Sequence, residues 1–474
     1  MNIMLFAPEL FLLTGALVLF LLSLSPAGAG RARTTALVFA IGTMVSGLVF
    51  LNFEGTLFYN AYQIDFFSQL IKVILAAGLA VVLLIGRKLK GIADEVRAEY
   101  YLFLFMSTLG LMMLVSSVEL LTLFIALELS SYSLYLLVPM RDDRAGSRLQ
   151  MEAAVKYILF GVVATGIMLF GMSYLFGLTG TTYLGELLTR LQPIMAQPAA
   201  IVGLAMVMCG FFYKLAVFPF HFWVPDVYQG ASNETTTFIA SVPKIAAVAL
   251  LIRMATMIAA PGGWPVVNLL VVLSVLSMFY GNLAALVQKD IKRMLGFSGI
   301  AHAGYVLLGI LTLGQAGYAT AMYYITGYLV MNLACFLVIC AVSPKGENLQ
   351  IDDLSGLHQR SPLLALTLAV GMFALAGIPP FVGFMGKFML LANALNEGYL
   401  TLVILAAINT AISIFYYLSV VRVAYTTSPE GYPAVQVAPA TKLVSVLLML
   451  VIIAMGILPT PVLEIATSAV RVLL

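Results

Sequence analysis

Residues 211–230 read FFYKLAVFPFHFWVPDVYQG. A lysine, two prolines, a histidine and an aspartate interrupt a run otherwise apolar enough to lie in a membrane. A charge at the bilayer centre costs at least about 2.5–3.5 kcal/mol. A proline within a helix removes a backbone donor and clashes with the carbonyl four residues back. Broken backbone at membrane depth is tolerated only where it faces protein or a wet cavity. The stretch therefore predicts a broken helix in the interior of a membrane protein, carrying a charge for a purpose.

The rest of the chain agrees. Its 474 residues are 62% hydrophobic and 9% charged, with a mean hydropathy of +1.05. Soluble domains carry about 25% charged residues, so this is an integral membrane protein, and apolar runs this long and unpatterned make it all-α and not a β-barrel. Cys209, Cys335 and Cys340 lie in apolar runs without metal-ligand spacing and read as packing residues. There is no Gly-rich phosphate loop, no Ser/His/Asp set and no His/Cys cluster, so no cofactor site is expected. The opening MNIMLFAPELFLL lacks a basic leader region and runs on as a span, so it is expected to be retained.

A helix needs about 20 apolar residues to cross a bilayer. Windows of that length predict fourteen segments: 3–24, 35–53, 65–86, 100–117, 119–138, 152–176, 200–229, 233–257, 264–288, 293–314, 316–342, 361–396, 398–425 and 440–461. Basic residues test that number, because cytoplasmic loops collect Lys and Arg. Sixteen lie around loops after odd-numbered segments, among them Arg144, and only Arg190 and Arg253 around loops after even-numbered ones. That split supports the count of fourteen and predicts both termini on the outer face of the membrane.

The seventh segment runs through Pro219 and Pro225, and the twelfth contains ALAGIPPFVGFMGKFML with Pro379 and Pro380. Both are too long for simple spans and should break at Pro219 and at Pro379–Pro380. They lie five helices apart, an odd number, so helices 4–8 and 9–13 are expected to be inverted repeats. Paired interrupted helices at matching positions point to a transport site. The chain then divides into an N-terminal segment (1–99), two five-helix repeats (100–257 and 264–425) and a C-terminal helix with tail (426–474).

The charges within the spans are the candidate site residues. Glu128 lies mid-span, as does Lys214, beside the Leu215 carbonyl that Pro219 should free. Lys244 and His302 are central in their helices, Lys387 follows the second break, and His221 lies beyond the first. Lys156 sits one turn inside its helix near the cytoplasmic face. Lys72, outside the repeats, is read as extending its amine to the membrane surface. At about 7 Å and an effective dielectric near 20, a lysine and a carboxylate interact by roughly 2.4 kcal/mol. Displacing Glu128 relative to Lys214 would thus alter the lysine's affinity for its proton. The row reads as a proton relay.

The same residues resemble a known family. KLAVFPFHFWVPDVYQGAS with SVPKIA after it, ALELSSYSLY around Glu128, EAAVKYILFG around Lys156, QKDIKRMLGFSGIAHAGY through His302 and LAGIPPFVGFMGKF through Lys387 occur in order. Together they resemble the antiporter-like subunits of NADH:quinone oxidoreductase (respiratory complex I), and VPDVYQGA looks most like subunit N among them. The resemblance implies a 14-helix fold with Glu128 and Lys214 as a coupled pair, Lys244 continuing the axis and Lys387 as the second-half lysine. GFSGIAHAGY departs from the family in having fewer serines before the histidine. NADH, FMN, iron–sulfur clusters and quinone would then belong to partner subunits. The partners would be neighbouring antiporter-like and small membrane subunits, with lipids around them and no nucleic acid. A subunit of a multi-subunit Na+/H+ antiporter is the competing reading. A structural scaffold and a small-solute permease follow it.

Overall fold

The computed structural model describes residues 3–25, 29–142, 146, 148–258, 264–428 and 431–474, so Arg144 lies outside the described residues. After a 3-10 turn come α1 (Ala7–Ser23) and α2 (Ala29–Val49), then an antiparallel hairpin of β1 (Gly55–Leu57) and β2 (Tyr62–Ile64). The chain continues through α3 (Phe66–Ile85), α4 (Arg97–Ser116), α5 (Leu120–Leu137), α6 (Leu149–Thr179) and α7 (Leu184–Leu191). Next come α8 (Pro198–Leu215), α9 (Trp223–Gly230), α10 (Asn233–Ile258), α11 (Trp264–Leu286), α12 (Ile291–Ile310) and α13 (Gln315–Val342). After the short α14 (Leu357–Arg360) follow α15 (Pro362–Ala376), α16 (Val382–Asn396), α17 (Leu400–Thr426), α18 (Pro439–Ile457) and α19 (Thr460–Arg471).

The protein is a nearly all-helical, multi-pass membrane protein. Twelve of the described helices are long and apolar enough to cross a bilayer. The two further expected spans fall on α12, whose Lys292, Arg293 and His302 dilute its apolarity, and on the pair α15/α16. Three helices, α7, α14 and α19, were not expected from the sequence. The amphipathic α7 and α19 are too short to span, and Arg471 ends α19 instead of lying in a tail.

Both expected breaks are present. The seventh segment divides into α8 and α9, the twelfth into α15 and α16. Each first half ends on a left-handed residue, Ala216 (φ 67°) and Gly377 (φ 86°). The Phe218–Pro219 and Pro379–Pro380 peptides are cis.

Caps fix several entries. Asp65 and Ser68 form a reciprocal box at the start of α3, and Asp290 accepts the Lys292 and Arg293 amides at α12. In the centre, α10 is buried from Asn233 to Ala255 and packs on α3, α8 and α13. Glycines let two helix pairs close. A Cβ at Gly110 would sit 2.5 Å from the Ser130 nitrogen of α5, and one at Gly281 2.5 Å from the Ala301 nitrogen of α12. The periphery keeps apolar side chains outward, among them Ile125, Leu159, Phe415 and Leu447. Between helices and lipid tails this costs nothing, since the solvent is as apolar as leucine.

Candidate functional site

Glu128 on α5, Lys214 on α8, Lys244 on α10, His302 on α12 and Lys387 on α16 are 2–7% exposed, so none faces lipid. Their partners differ. Lys214 Nζ donates to Ser130 Oγ (3.0 Å) and Ser131 Oγ (3.1 Å), the two serines just beyond Glu128 on α5. Among the described residues no ion pair within 4.0 Å joins Glu128 to Lys214, and Glu128 Oε1 is buried without a hydrogen-bond partner. Serine hydroxyls, not the Glu128 carboxylate, are what the Lys214 amine contacts.

Further along the row the groups touch. Lys244 Nζ donates to the Tyr328 hydroxyl (3.0 Å) and lies 4.9 Å from that ring's centre. The Tyr328 ring is 4.9 Å from His302, whose Nδ1 shares a hydrogen bond with Tyr324 (2.6 Å) and whose Nε2 shares one with Tyr417 (3.1 Å). Lys387 Nζ lies 4.9 Å from the Tyr305 ring, one helical turn from His302. It donates to the Leu375 and Ala376 carbonyls, both at 3.1 Å, where α15 ends at the break.

The first break works otherwise than the sequence suggests. The Leu215 carbonyl is not what holds Lys214. The freed Phe212 carbonyl takes the Val217 amide, and the Tyr213 carbonyl takes the Trp223 indole (3.1 Å). The break lays α9 against α6 and α12, and its first residue, Trp223, reaches back to the end of α8, which periodicity cannot show.

Three further expectations need correction or relocation. Lys72 does not reach the membrane surface. It is fully buried against Glu9 (2.7 Å), whose same oxygen accepts the Tyr62 hydroxyl. A lysine seven residues into a helix cannot reach out when the adjoining hairpin covers it. Lys156 leaves the row for a partly exposed network. It pairs with Glu152 and with Asp226 of α9, each at 2.7 Å, and Asp226 in turn holds Arg293 of α12 at 2.8 Å. His221 is buried beside Phe218 and Tyr280 (ring centres 5.2 and 4.3 Å), and neither of its nitrogens has a hydrogen-bond partner among the described residues.

Comparison with known proteins supplies the rest. A model for the transmembrane family "NADH:quinone oxidoreductase/Mrp antiporter" matches residues 117–413. The NADH-quinone oxidoreductase subunit N 2 of Opitutus terrae is 51% identical over 98% of this chain and 97% of that protein. This chain belongs to the subunit N family of NADH-quinone oxidoreductases. In the respiratory complex I of Thermus thermophilus with bound aureothin, one chain matches 96% of this one at 31% identity, with 98% of its own length covered and a TM-score of 0.83. A chain of the Mrp complex from Dietzia sp. has a TM-score of 0.87 over the whole chain and 98% of its own, but at 20% identity it shows the fold alone.

The cost of charge inside apolar spans made Glu128 and the lysines legible. It did not show the tyrosines, serines and Asp226 that hold them. Tyr324 and Tyr328, four apart in YYITGY, would have been a signal, since such spacing puts both hydroxyls on one helix face. His302 meets its hydroxyl partners on other helices, Tyr324 on α13 and Tyr417 on α17.

Proposed function

We propose that the buried row Glu128, Lys214, Lys244, His302 and Lys387 is the path along which this membrane subunit of NADH:quinone oxidoreductase moves protons. The observation that carries the reading is the contact chain of Lys244, Tyr328, His302 and Tyr324/Tyr417 leading towards Lys387, all buried and all able to exchange protons. At each broken helix a lysine sits among oxygen acceptors, serine hydroxyls at Lys214 and main-chain carbonyls at Lys387. A lysine that keeps its acceptors in place can lose and regain a proton without rearranging its surroundings. Glu128 modulates Lys214 through space, since a shift of α5 moves carboxylate and serines together. Lys156 and His221 flank the row, Lys156 in the Asp226 network and His221 within the first break.

The division into 1–99, 100–257, 264–425 and 426–474, with inverted repeats, belongs to the same reading. Two likenesses support it. Ala216 and Gly377 end α8 and α15 in the same left-handed conformation, and Gly110 and Gly281 bring α4 onto α5 and α11 onto α12 in the same way. With the termini on the periplasmic face of the bacterial cytoplasmic membrane, the basic loops face the cytoplasm. FMN, iron–sulfur clusters, NADH and quinone are then handled by partner subunits, and antiporter-like and small membrane subunits flank this chain. Each proton crosses against about 2.3 kcal/mol per 100 mV, which electron transfer in the partners must supply.

The test uses the assembled complex in inside-out vesicles. Glu128→Ala and Lys214→Ala are each expected to depress quinone-linked NADH oxidation and vesicle acidification together. Normal rates and gradients in either variant would falsify the coupling. Co-purification of NADH dehydrogenase activity on a tag placed on this chain reports the partners. Sodium-dependent proton movement in vesicles lacking NADH oxidation would instead favour the Na+/H+ antiporter reading.

A further inference from the structure

Glu234, at the cytoplasmic start of α10, is a buried carboxylate that the row does not use. It is 4% exposed, and its Oε2 has no hydrogen-bond partner. Its Oε1 accepts the Lys90 backbone N–H (3.0 Å). Lys90 sends its ammonium to the Cys340 (3.1 Å) and Ser343 (2.5 Å) carbonyls. The loop around it comes close through two glycines. A Cβ at Gly86 would lie 3.3 Å from Glu234 Cγ, and one at Gly91 3.7 Å from Oε2. Glu234 also lines a cavity of about 90 Å³ together with Arg87, Lys88 and Thr441. By the distribution of basic residues, that cavity opens to the cytoplasm.

From Glu234 a polar line leads inward. Thr237, Ser241 and Lys244 follow at intervals of three, four and three residues, within one sector of α10, and all are buried. The line follows the seam with α13. Thr237 Oγ1 lies 3.7 Å from Cys340 Sγ, and seven residues on, Lys244 reaches Tyr328. Asn332, also buried, places its amide on the Tyr328 carbonyl one turn below (3.0 Å). Ten residues of helix span about 15 Å, so successive groups are about 4–6 Å apart, gaps that one water or one rotamer change bridges.

We infer that Glu234 is the cytoplasmic proton-uptake group of this subunit, passing protons along the α10–α13 seam through Thr237 and Ser241 to the Lys244 amine. A proton from the cytoplasm adds to the carboxylate. Each hydroxyl accepts one proton and releases another, the neutral amine takes the last, and the carboxylate is left as it began. The inference rests on the proposed role of Lys244 in the row.

The test compares Glu234→Gln, Glu234→Ala, Glu234→Asp and Lys244→Ala in inside-out vesicles, whose outer face is the cytoplasmic one. Gln keeps an acceptor for the Lys90 amide but cannot carry the proton. Glu234→Gln is expected to slow acidification and NADH oxidation about fivefold or more, and Asp to retain most of both. Formate, small enough for the cavity, is expected to restore Glu234→Ala from the cytoplasmic side, which a merely structural role would not allow. If the Glu234 variants fail to assemble, Thr237→Val with Ser241→Ala tests the same line and is expected to slow uptake likewise. Wild-type rates in Glu234→Gln, or no recovery with formate, overturn the uptake role while Lys244→Ala remains defective. Wild-type rates in Lys244→Ala overturn the row itself.

Discussion

The two broken helices solve one problem with different chemistry. At the first, Lys214 lies before the break, on two serine hydroxyls of α5, and the freed carbonyls are taken by a backbone amide and the Trp223 indole. At the second, Lys387 lies after the break and itself caps the Leu375 and Ala376 carbonyls. The first lysine is thus separate from the architecture of its break, and the second is part of it. The first has a carboxylate on the serine-bearing helix. The second has tyrosines and a histidine. A charge tuned from outside and a charge held by the fold are the two roles this contrast assigns.

Four experiments break or sharpen it. Lys214→Ala is expected to lower quinone-linked NADH oxidation about tenfold or more, roughly 1.4 kcal/mol, with the complex still assembled. Ser131 already donates to the Leu127 carbonyl, so losing the lysine strands no buried donor there. Lys214→Arg should fail equally, because arginine does not release its proton. Lys387→Met is expected to lose activity and also stability, about 1–3 kcal/mol for buried carbonyls left without a donor. Melting of the purified complex separates the two lysines, and equal melting for Lys214→Met and Lys387→Met would erase the contrast.

A smaller effect comes from the two left-handed residues. Gly377→Ala must hold φ near 86° with its Cβ 3.0 Å from Lys387 Cδ, a cost of about 1 kcal/mol or more. Ala216→Gly relieves the same conformation and should leave melting unchanged or raised. The smallest effect is Tyr328→Phe, which removes the hydroxyl from Lys244 and keeps the ring. A hydrogen bond within a membrane is worth about 0.6–1.7 kcal/mol, so a loss of a few-fold in pumping rate is expected. Unchanged pumping would remove Tyr328 from the path.

Glu128, Lys214, Lys244, His302 and Lys387 were legible in the sequence because charge inside an apolar span is costly and therefore conspicuous. Pro219, Pro379 and Pro380 were legible because proline acts on its own helix. Tyr324, Tyr328 and Tyr417 were not, since a tyrosine in an apolar helix reads equally well as packing until its hydroxyl meets a histidine. The fate of Lys72 was hidden for the same reason. Glu9 stands 63 residues away, and no local pattern joins them.

The sequence by itself determined what depends on single residues and local periods: a helical membrane protein, both breaks and the family. Only the tertiary structure decided which groups meet. It placed Lys156 on Asp226, Lys214 on serines, Lys387 on carbonyls, and tyrosines around His302. Partners on different helices are chosen by packing. In lipid, packing is settled by close fit and satisfied hydrogen bonds between distant segments, and composition does not encode these.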